Sequence, residues 1–152
     1  MRFPWADTLQ PMPDPGPAGY SGTPLPRKLG IKPQSRLGLI GAPHDFDDTL
    51  GELPPGVSVH RRVRGSFDVL VIFVQKRSEL ERRLPALKQA LDQAGGLWVA
   101  WPKRSSGVAT DLGEGTVREL GLGSGLVDNK VCAIDATWSG LRFVYRLADR
   151  TT

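Results

Sequence analysis

Phe67-Asp68-Val69-Leu70-Val71-Ile72-Phe73-Val74 is apolar at every position except Asp68. A strand with one face in water alternates apolar and polar residues, whereas a run like this one must be covered on both faces. It reads as the central strand of a parallel sheet, so covering helices are expected on either side of it in the chain. Downstream, Ser78-Glu79-Leu80-Glu81 has the spacing of a capping box, and Leu80, Leu84, Leu87 and Leu91 fall on one helical face. Pro85 is expected to kink or divide this helix, and Gly95-Gly96 to end it. Leu97-Trp98-Val99-Ala100-Trp101 supplies the next strand.

Upstream, Arg36-Leu37-Gly38-Leu39-Ile40 reads as the first strand, and alternation marks Val57 to Val63 as the second. Asp45 to Leu50 leaves room for a short helix between them. A further short helix begins at Pro24, with Thr23 as its cap and Gly30 at its end. Beyond Trp101, Asp111 and Glu114 have the spacing of a second capping box, followed by Val117, Leu120 and Leu122 on a helix. Lys130 to Ile134 and Leu141 to Leu147 form the last two strands. They lie too close for a crossover and are expected to pair as an antiparallel hairpin at one edge. The prolines at 4, 11, 13, 15 and 17 make residues 1–18 a flexible tail, leaving 19–150 as one α/β domain.

The chain has 152 residues, a formal charge of +4 and a pI near 9.6, enough for a core without cross-links. Its basic residues are spread over solvated faces, which permits an anionic partner without requiring one. Cys132 is the sole cysteine and excludes an internal disulfide; its setting, Val131-Cys132-Ala133-Ile134, favours a small packed side chain over a nucleophile. One cysteine and two separated histidines, His44 and His60, give no zinc site, and no metal or cofactor is expected. No apolar run is long enough to cross a bilayer, so a cytoplasmic protein is the expectation.

The order of elements from Leu37 to Leu147 resembles the class I methyltransferase frame shortened by about one strand and helix, a Rossmann-like sheet, mostly parallel, with helices on both faces. The resemblance implies a glycine-rich turn after strand one and an acidic residue ending strand two, where a methyl donor's nucleoside is held. Here strand one offers only Gly38 and Gly41, and strand two ends in His60-Arg61-Arg62-Val63-Arg64. Gly19-Tyr20-Ser21-Gly22-Thr23-Pro24-Leu25, Lys28-Leu29-Gly30-Ile31, Leu97-Trp98-Val99-Ala100-Trp101-Pro102-Lys103 and Trp138-Ser139-Gly140-Leu141 are similar to motifs of the bacterial domain of unknown function 3052 family. That resemblance implies no particular mechanism.

Ligands of open α/β sheets lie at the carboxyl ends of the strands, which singles out the loop from Lys103 to Asp111. Lys103 and Arg104 supply charge, Ser105, Ser106 and Thr110 hydroxyls, and Gly107 a bend, a set suited to a phosphate or carboxylate. Asp111, as the cap of the following helix, would compete for the same donors. Trp101 and Trp138 are candidates for an aromatic wall, while Trp98 reads as core. His44 beside Asp45 lies at the same sheet end and has the makings of an acid/base pair. The leading expectation is a non-catalytic binding or regulatory domain taking an anionic small molecule or a protein partner at Lys103–Asp111. A divergent transferase using His44, Asp45 or Asp111 is the alternative. A nucleic-acid binder using the basic face of His60 to Arg64 is the third, although no aromatic residues interleave there for base stacking.

Overall fold

The computed structural model describes residues 23–150. The proline-rich tail, Trp5 and the segment Gly19 to Gly22 lie outside the described residues. The elements, in chain order, are α1 (Leu25–Lys28), β1 (Arg36–Ile40), α2 (Phe46–Leu50), β2 (Ser58–His60), β3 (Phe67–Phe73), α3 (Arg77–Ala90), β4 (Leu91–Pro102), α4 (Glu114–Gly123), β5 (Leu126–Ala133) and β6 (Trp138–Tyr145). Single 3-10 turns follow β4 (Arg104–Ser106) and β6 (Leu147–Asp149).

The six strands form one sheet in the order β2-β1-β3-β4-β6-β5. β2, β1, β3 and β4 run parallel; β6 pairs antiparallel with β4, and β5 with β6. The terminal hairpin thus closes one edge, as its short connection requires. Successive residues of β3 feed opposite faces, which is why its sequence is apolar throughout. Leu70 and Ile72 join Leu80, Leu84 and Leu87 of α3 and Val117 of α4 on one side. Val69, Val71 and Phe73 join Leu29, Phe46 and Leu50 on the other. Trp98 is fully buried on that second side, and its indole N–H donates to the Leu29 carbonyl at 2.9 Å, so its one polar atom is satisfied inside the core.

Several local readings differ. α3 begins at Arg77, and no side chain of its own first turn caps it; Asp111 does so from across the molecule, its carboxylate accepting the Arg77 N–H at 2.8 Å. α4 likewise has no side-chain cap and begins after Gly113. Pro85 does not divide α3, which runs unbroken past it. Both Pro85 and Glu81, whose carbonyl loses its partner, are exposed, so water can satisfy that oxygen.

Gly95-Gly96 does not end the helix. The chain turns extended at Leu91, and both glycines lie inside β4 because neighbours approach too closely for side chains. A Cβ on Gly95 would meet the Asp68 carbonyl at 2.6 Å, and one on Gly96 the guanidinium carbon of Arg142 at 2.6 Å. On α4 the core-facing positions are Val117 and Gly121, with Leu122 left 39% exposed, since the Phe143 ring occupies the space a side chain at 121 would need. β2 is only three residues long and β5 starts earlier than its pattern suggests, at the buried Leu126.

Candidate functional site

The sheet changes direction of growth between β1 and β3: from β1 the chain moves outward to β2, then returns to the other side of β1 to lay down β3 and β4. At such a switch point the loops leaving adjacent strands diverge and open a crevice at their carboxyl ends. A cleft of about 600 Å3 lies there, lined by Gly41 and Asp45 after β1, Phe73, Gln75 and Lys76 after β3, and Thr137 and Trp138 of the hairpin turn. A second cleft, of about 570 Å3, lies at the same edge of the sheet, between the end of β4 and the start of α4. Trp101, Lys103, Arg104, Gly107, Thr110 and Ser139 line it. Each volume falls in the range that holds a small metabolite.

The partition between the clefts is built by local hydrogen bonds. Asp135 Oδ1 accepts the N–H groups of Thr137 and Trp138, both at 2.8 Å, which folds the hairpin turn. The Lys103 N–H donates to the Thr137 carbonyl at 2.7 Å and joins that turn to the end of β4. Thr110 Oγ1 donates to the Gln75 carbonyl at 2.6 Å and accepts the Leu112 N–H at 3.0 Å. With the Asp111 cap, these bonds tie the 103–111 loop to the start of α3.

The predicted site residues therefore separate. Lys103, Arg104, Gly107, Thr110 and Trp101 line the second cleft together. Ser106 folds its own turn: its hydroxyl donates to the Lys103 carbonyl at 2.6 Å and accepts the Val108 N–H at 3.2 Å. Gly107 follows in the left-handed region at φ 78°, the conformation this reversal needs. Ser105 is exposed and outside the cleft lining. Asp111 serves α3 and leaves the first turn of α4 without a side-chain competitor. Asp45 lines the switch-point cleft, and His44 is exposed in the same loop.

Trp101 and Trp138 do not form one wall. Register pairs Trp101 with Ser139 and Pro102 with Trp138, so the two indoles leave opposite faces of the sheet. Trp138 packs edge-on against Phe73 at 5.1 Å and floors the switch-point cleft. Sequence reasoning passed over Gln75, Lys76, Glu79 and Asp135, which also line that cleft. An Asp two positions before Thr137 in a strand connection is a turn signal that would have located it.

Cys132 is partly covered, and burial pushes its thiol above the ordinary range despite the pull of Lys28, Lys130 and Lys103, a setting for a packed thiol and not a nucleophile. Arg61 at the end of β2 is clamped by both oxygens of Asp47 at 2.9 Å, on the outermost strand of the sheet. Among the described residues no group of three or more His, Cys, Asp or Glu could hold a metal ion, and no helix is long and apolar enough to cross a membrane.

No protein-family model and no curated protein matches the sequence. Solved structures do share the frame. A putative type 11 methyltransferase from Sulfolobus solfataricus superposes with a TM-score of 0.59 at 11% identity, over 84% of this chain and 93% of that one. A SAM dependent methyltransferase from Aquifex aeolicus gives 0.57 at 13% identity, over 77% and 85%. The fibrillarin pre-rRNA processing protein of Methanococcus jannaschii gives 0.55 at 13%, over 76% and 68%. The expectation of a non-catalytic binding or regulatory domain is corrected here. The frame is one that methyltransferases use, which agrees with the transferase alternative and not with that expectation. At these identities the likeness establishes the fold: a Rossmann-like, methyltransferase-like sheet.

Proposed function

We propose that the chain is a divergent group transferase, and that it belongs to the domain of unknown function 3052 family. The observation that carries the first reading is the pair of clefts at the carboxyl edge of the sheet, separated by the Lys103–Thr137 hydrogen bond, since transfer requires a place for each of two substrates. The family reading rests on the resemblance of its motif segments, and some of these reach the clefts. Two of its motif segments, Leu97 to Lys103 and Trp138 to Leu141, contribute Trp101, Pro102, Lys103, Trp138 and Ser139 to the cleft linings.

A methyl donor's nucleoside does not fit the residues present. The turn after β1 has Gly41 alone, and α2, at five residues, is too short to present a helix terminus to a ligand. Where a carboxylate would accept the ribose hydroxyls, Arg61 stands, already paired with Asp47.

In the reading proposed, the second cleft takes an anionic group of one small-molecule substrate, with Lys103 and Arg104 supplying charge and Ser105, Ser106, Gly107 and Thr110 shaping the loop. The other substrate occupies the switch-point cleft. A hydroxyl or amine of the acceptor attacks the transferable atom of the donor. The bond from that atom to the leaving group breaks and keeps its electron pair there, while the acceptor's proton passes to Asp45, with His44 as the neighbouring relay.

The test is a melting-temperature titration of the native chain and of Lys103→Ala/Arg104→Ala with S-adenosylmethionine, nucleotides, sugar phosphates and inorganic phosphate. The expected result is one compound whose shift is lost in the double variant, and a second whose shift survives there but is lost in Asp45→Asn. The two together should give a product whose mass equals the acceptor plus the transferred group less one proton. Shifts from a single class of compound, or none, would overturn the transferase reading, and a pull-down for a protein partner would follow. Binding to duplex DNA or RNA that weakens steeply with salt would favour the basic face of His60 to Arg64 instead.

A further inference from the structure

Gly95-Gly96 has the sequence of a helix stop, yet its setting inside β4 leads to the opposite end of the sheet. Arg142 of β6 stands opposite Trp98 of β4, on the face whose other members are Leu29, Trp98, Ala100 and Trp138. An arginine in that company is unusual. Its guanidinium reaches along β4 and packs against Gly96, where the Nη2 and Cζ atoms come within 2.6 Å of the position a Cβ would take. Any other residue at 96 would push it away.

Arg142 is about half buried, and burial lowers its pKa, with Arg150 adding repulsion from nearby. No hydrogen bond or ion pair joins its side chain to another described residue. A partly desolvated guanidinium without a counter-charge is costly, and structures usually supply a carboxylate, a carbonyl or a ligand.

The guanidinium faces a cleft of about 320 Å3 at the amino ends of the parallel strands, walled by Lys32, Gln34 and Ser35 before β1 and by Asp68 and Val69 of β3. Gln34 is held at φ 66°, the one non-glycine described residue in the left-handed region, and its N–H donates to the Pro55 carbonyl at 2.9 Å. Backbone strain of this kind persists where the surroundings impose it. Ser35 Oγ accepts the Lys32 N–H at 3.1 Å and fixes the wall that carries the Lys32 side chain. Asp68 is the lining's one carboxylate, and its Oδ2 already accepts the Arg36 N–H at 2.7 Å. Two cations and one engaged carboxylate leave a net positive site.

We propose that this amino-edge cleft is a second binding site, independent of the clefts at the carboxyl edge, which takes the oxyanion of a small carboxylate or phosphate on Arg142 and Lys32. The planar fork of a guanidinium suits a carboxylate or phosphate held through two oxygens. A cleft of this size, at the small end of ligand sites, suits a compact metabolite. Gly96 is then a specificity element, because it lets the guanidinium lie against the backbone where it lines the cleft.

The experiment uses the full chain and its variants Arg142→Met and Gly96→Ala. Melting temperature and tryptophan fluorescence, which reports on Trp98 beside Arg142, are followed against succinate, inorganic phosphate and sodium chloride of matched ionic strength. The expected result is a saturable shift with succinate or phosphate but not chloride, retained in Lys103→Ala/Arg104→Ala and lost in Arg142→Met. Which of the two anions acts at lower concentration identifies the ligand class. Arg142→Met should melt at or above the native temperature in buffer, because methionine is content on this apolar face; a purely structural arginine would instead melt lower when replaced. Equal shifts in native and Arg142→Met protein, shifts matched by chloride, or no shift with either anion would overturn the proposal. Gly96→Ala is the second reading: an intact fold with weakened anion binding supports it, and unaltered binding opposes it.

Discussion

Asp111 holds the start of α3 from a loop that follows β4, and its carboxylate is the only side chain among the described residues that reaches the Arg77 N–H. A carboxylate at that position satisfies an orphan donor and meets the positive end of the helix dipole, together about 1 kcal/mol, with a range of roughly 0.5–2. Asp111→Ala is therefore expected to lower the unfolding free energy by about that much in urea titrations, while Asp111→Asn, which keeps an acceptor, loses less. Equal losses in the two would place the effect in the loop and not in the cap. The same residue shows what sequence reveals at this scale. Lys103 and Arg104 were legible as cleft residues because they follow a buried strand. The partners of Ser106, Thr110 and Asp111 were not, because they depend on which distant backbone groups the folded loops bring near. Cys132 gives a second expectation. Burial raises its thiol, so the folded state holds that proton more tightly than the unfolded chain does. Its stabilising contribution is complete below the unfolded thiol pKa and is lost as pH rises through the folded value. Stability should accordingly decline from about pH 8.5 upward, near the reference thiol value. Cys132→Ala should flatten that decline, and alkylation of the native thiol by iodoacetamide should stay slow until the same pH range is passed. Fast alkylation at neutral pH would show a thiolate and overturn the packed-thiol reading.

At the scale of elements, the two helices on the α3/α4 side each contain a residue that a helix resists. Pro85 sits in the middle of α3 on its exposed face, where it removes one backbone bond and fills nothing in the core. Replacement by alanine restores that bond, although the freer unfolded chain takes back part of the gain. Pro85→Ala should raise the unfolding free energy by roughly 1–3 kcal/mol, and a loss would mean that the proline shapes the helix path. Gly121 of α4 is the opposite case. Its missing side chain is the space the buried Phe143 ring occupies, so Gly121→Ala should destabilise by roughly 1–3 kcal/mol despite alanine's better helix propensity. The pair of denaturation curves thus moves in opposite directions. β1 and β3 were legible to within a residue because a strand covered on both faces leaves an unmistakable apolar run. The start of β4 was not, because the chain passes from helix to strand at Ala90–Leu91 with no breaker between them. The glycines that looked like a breaker answer to Asp68 and Arg142, which are remote in sequence.

For the whole molecule, the hydrophobic pattern determines the sheet and leaves its two ends free to differ. The edge hairpin was implied by chain economy, because parallel strands need crossovers and the last two strands have none, whereas the order β2-β1-β3-β4-β6-β5, with β6 against β4, was not legible. Which end binds what is a matter of loops, where a few residues set the chemistry and the core pattern is silent. The carboxyl end carries two clefts, lined in part by Thr137 and Trp138 and by Ser139, and the amino end the Arg142 cleft. The seven residues of β3 separate them by about 23 Å at the usual rise of a strand, across a sheet packed on both faces. Sites this far apart that share no partner should act additively, within about 0.5 kcal/mol. The stabilisation given by a compound that requires Lys103 and Arg104 should thus be the same in Arg142→Met as in the native chain, and the anion shift at Arg142 should be unchanged by saturating the carboxyl edge. A measured dependence of either shift on the other site would mean that the two ends are coupled. The route would then run through β4, which carries Gly96 midway along its length and Trp101 and Pro102 at its carboxyl end, so Gly96→Ala should alter binding at the carboxyl edge as well. An unaltered carboxyl edge in Gly96→Ala would leave the two sites independent, with the sheet serving only to hold them apart.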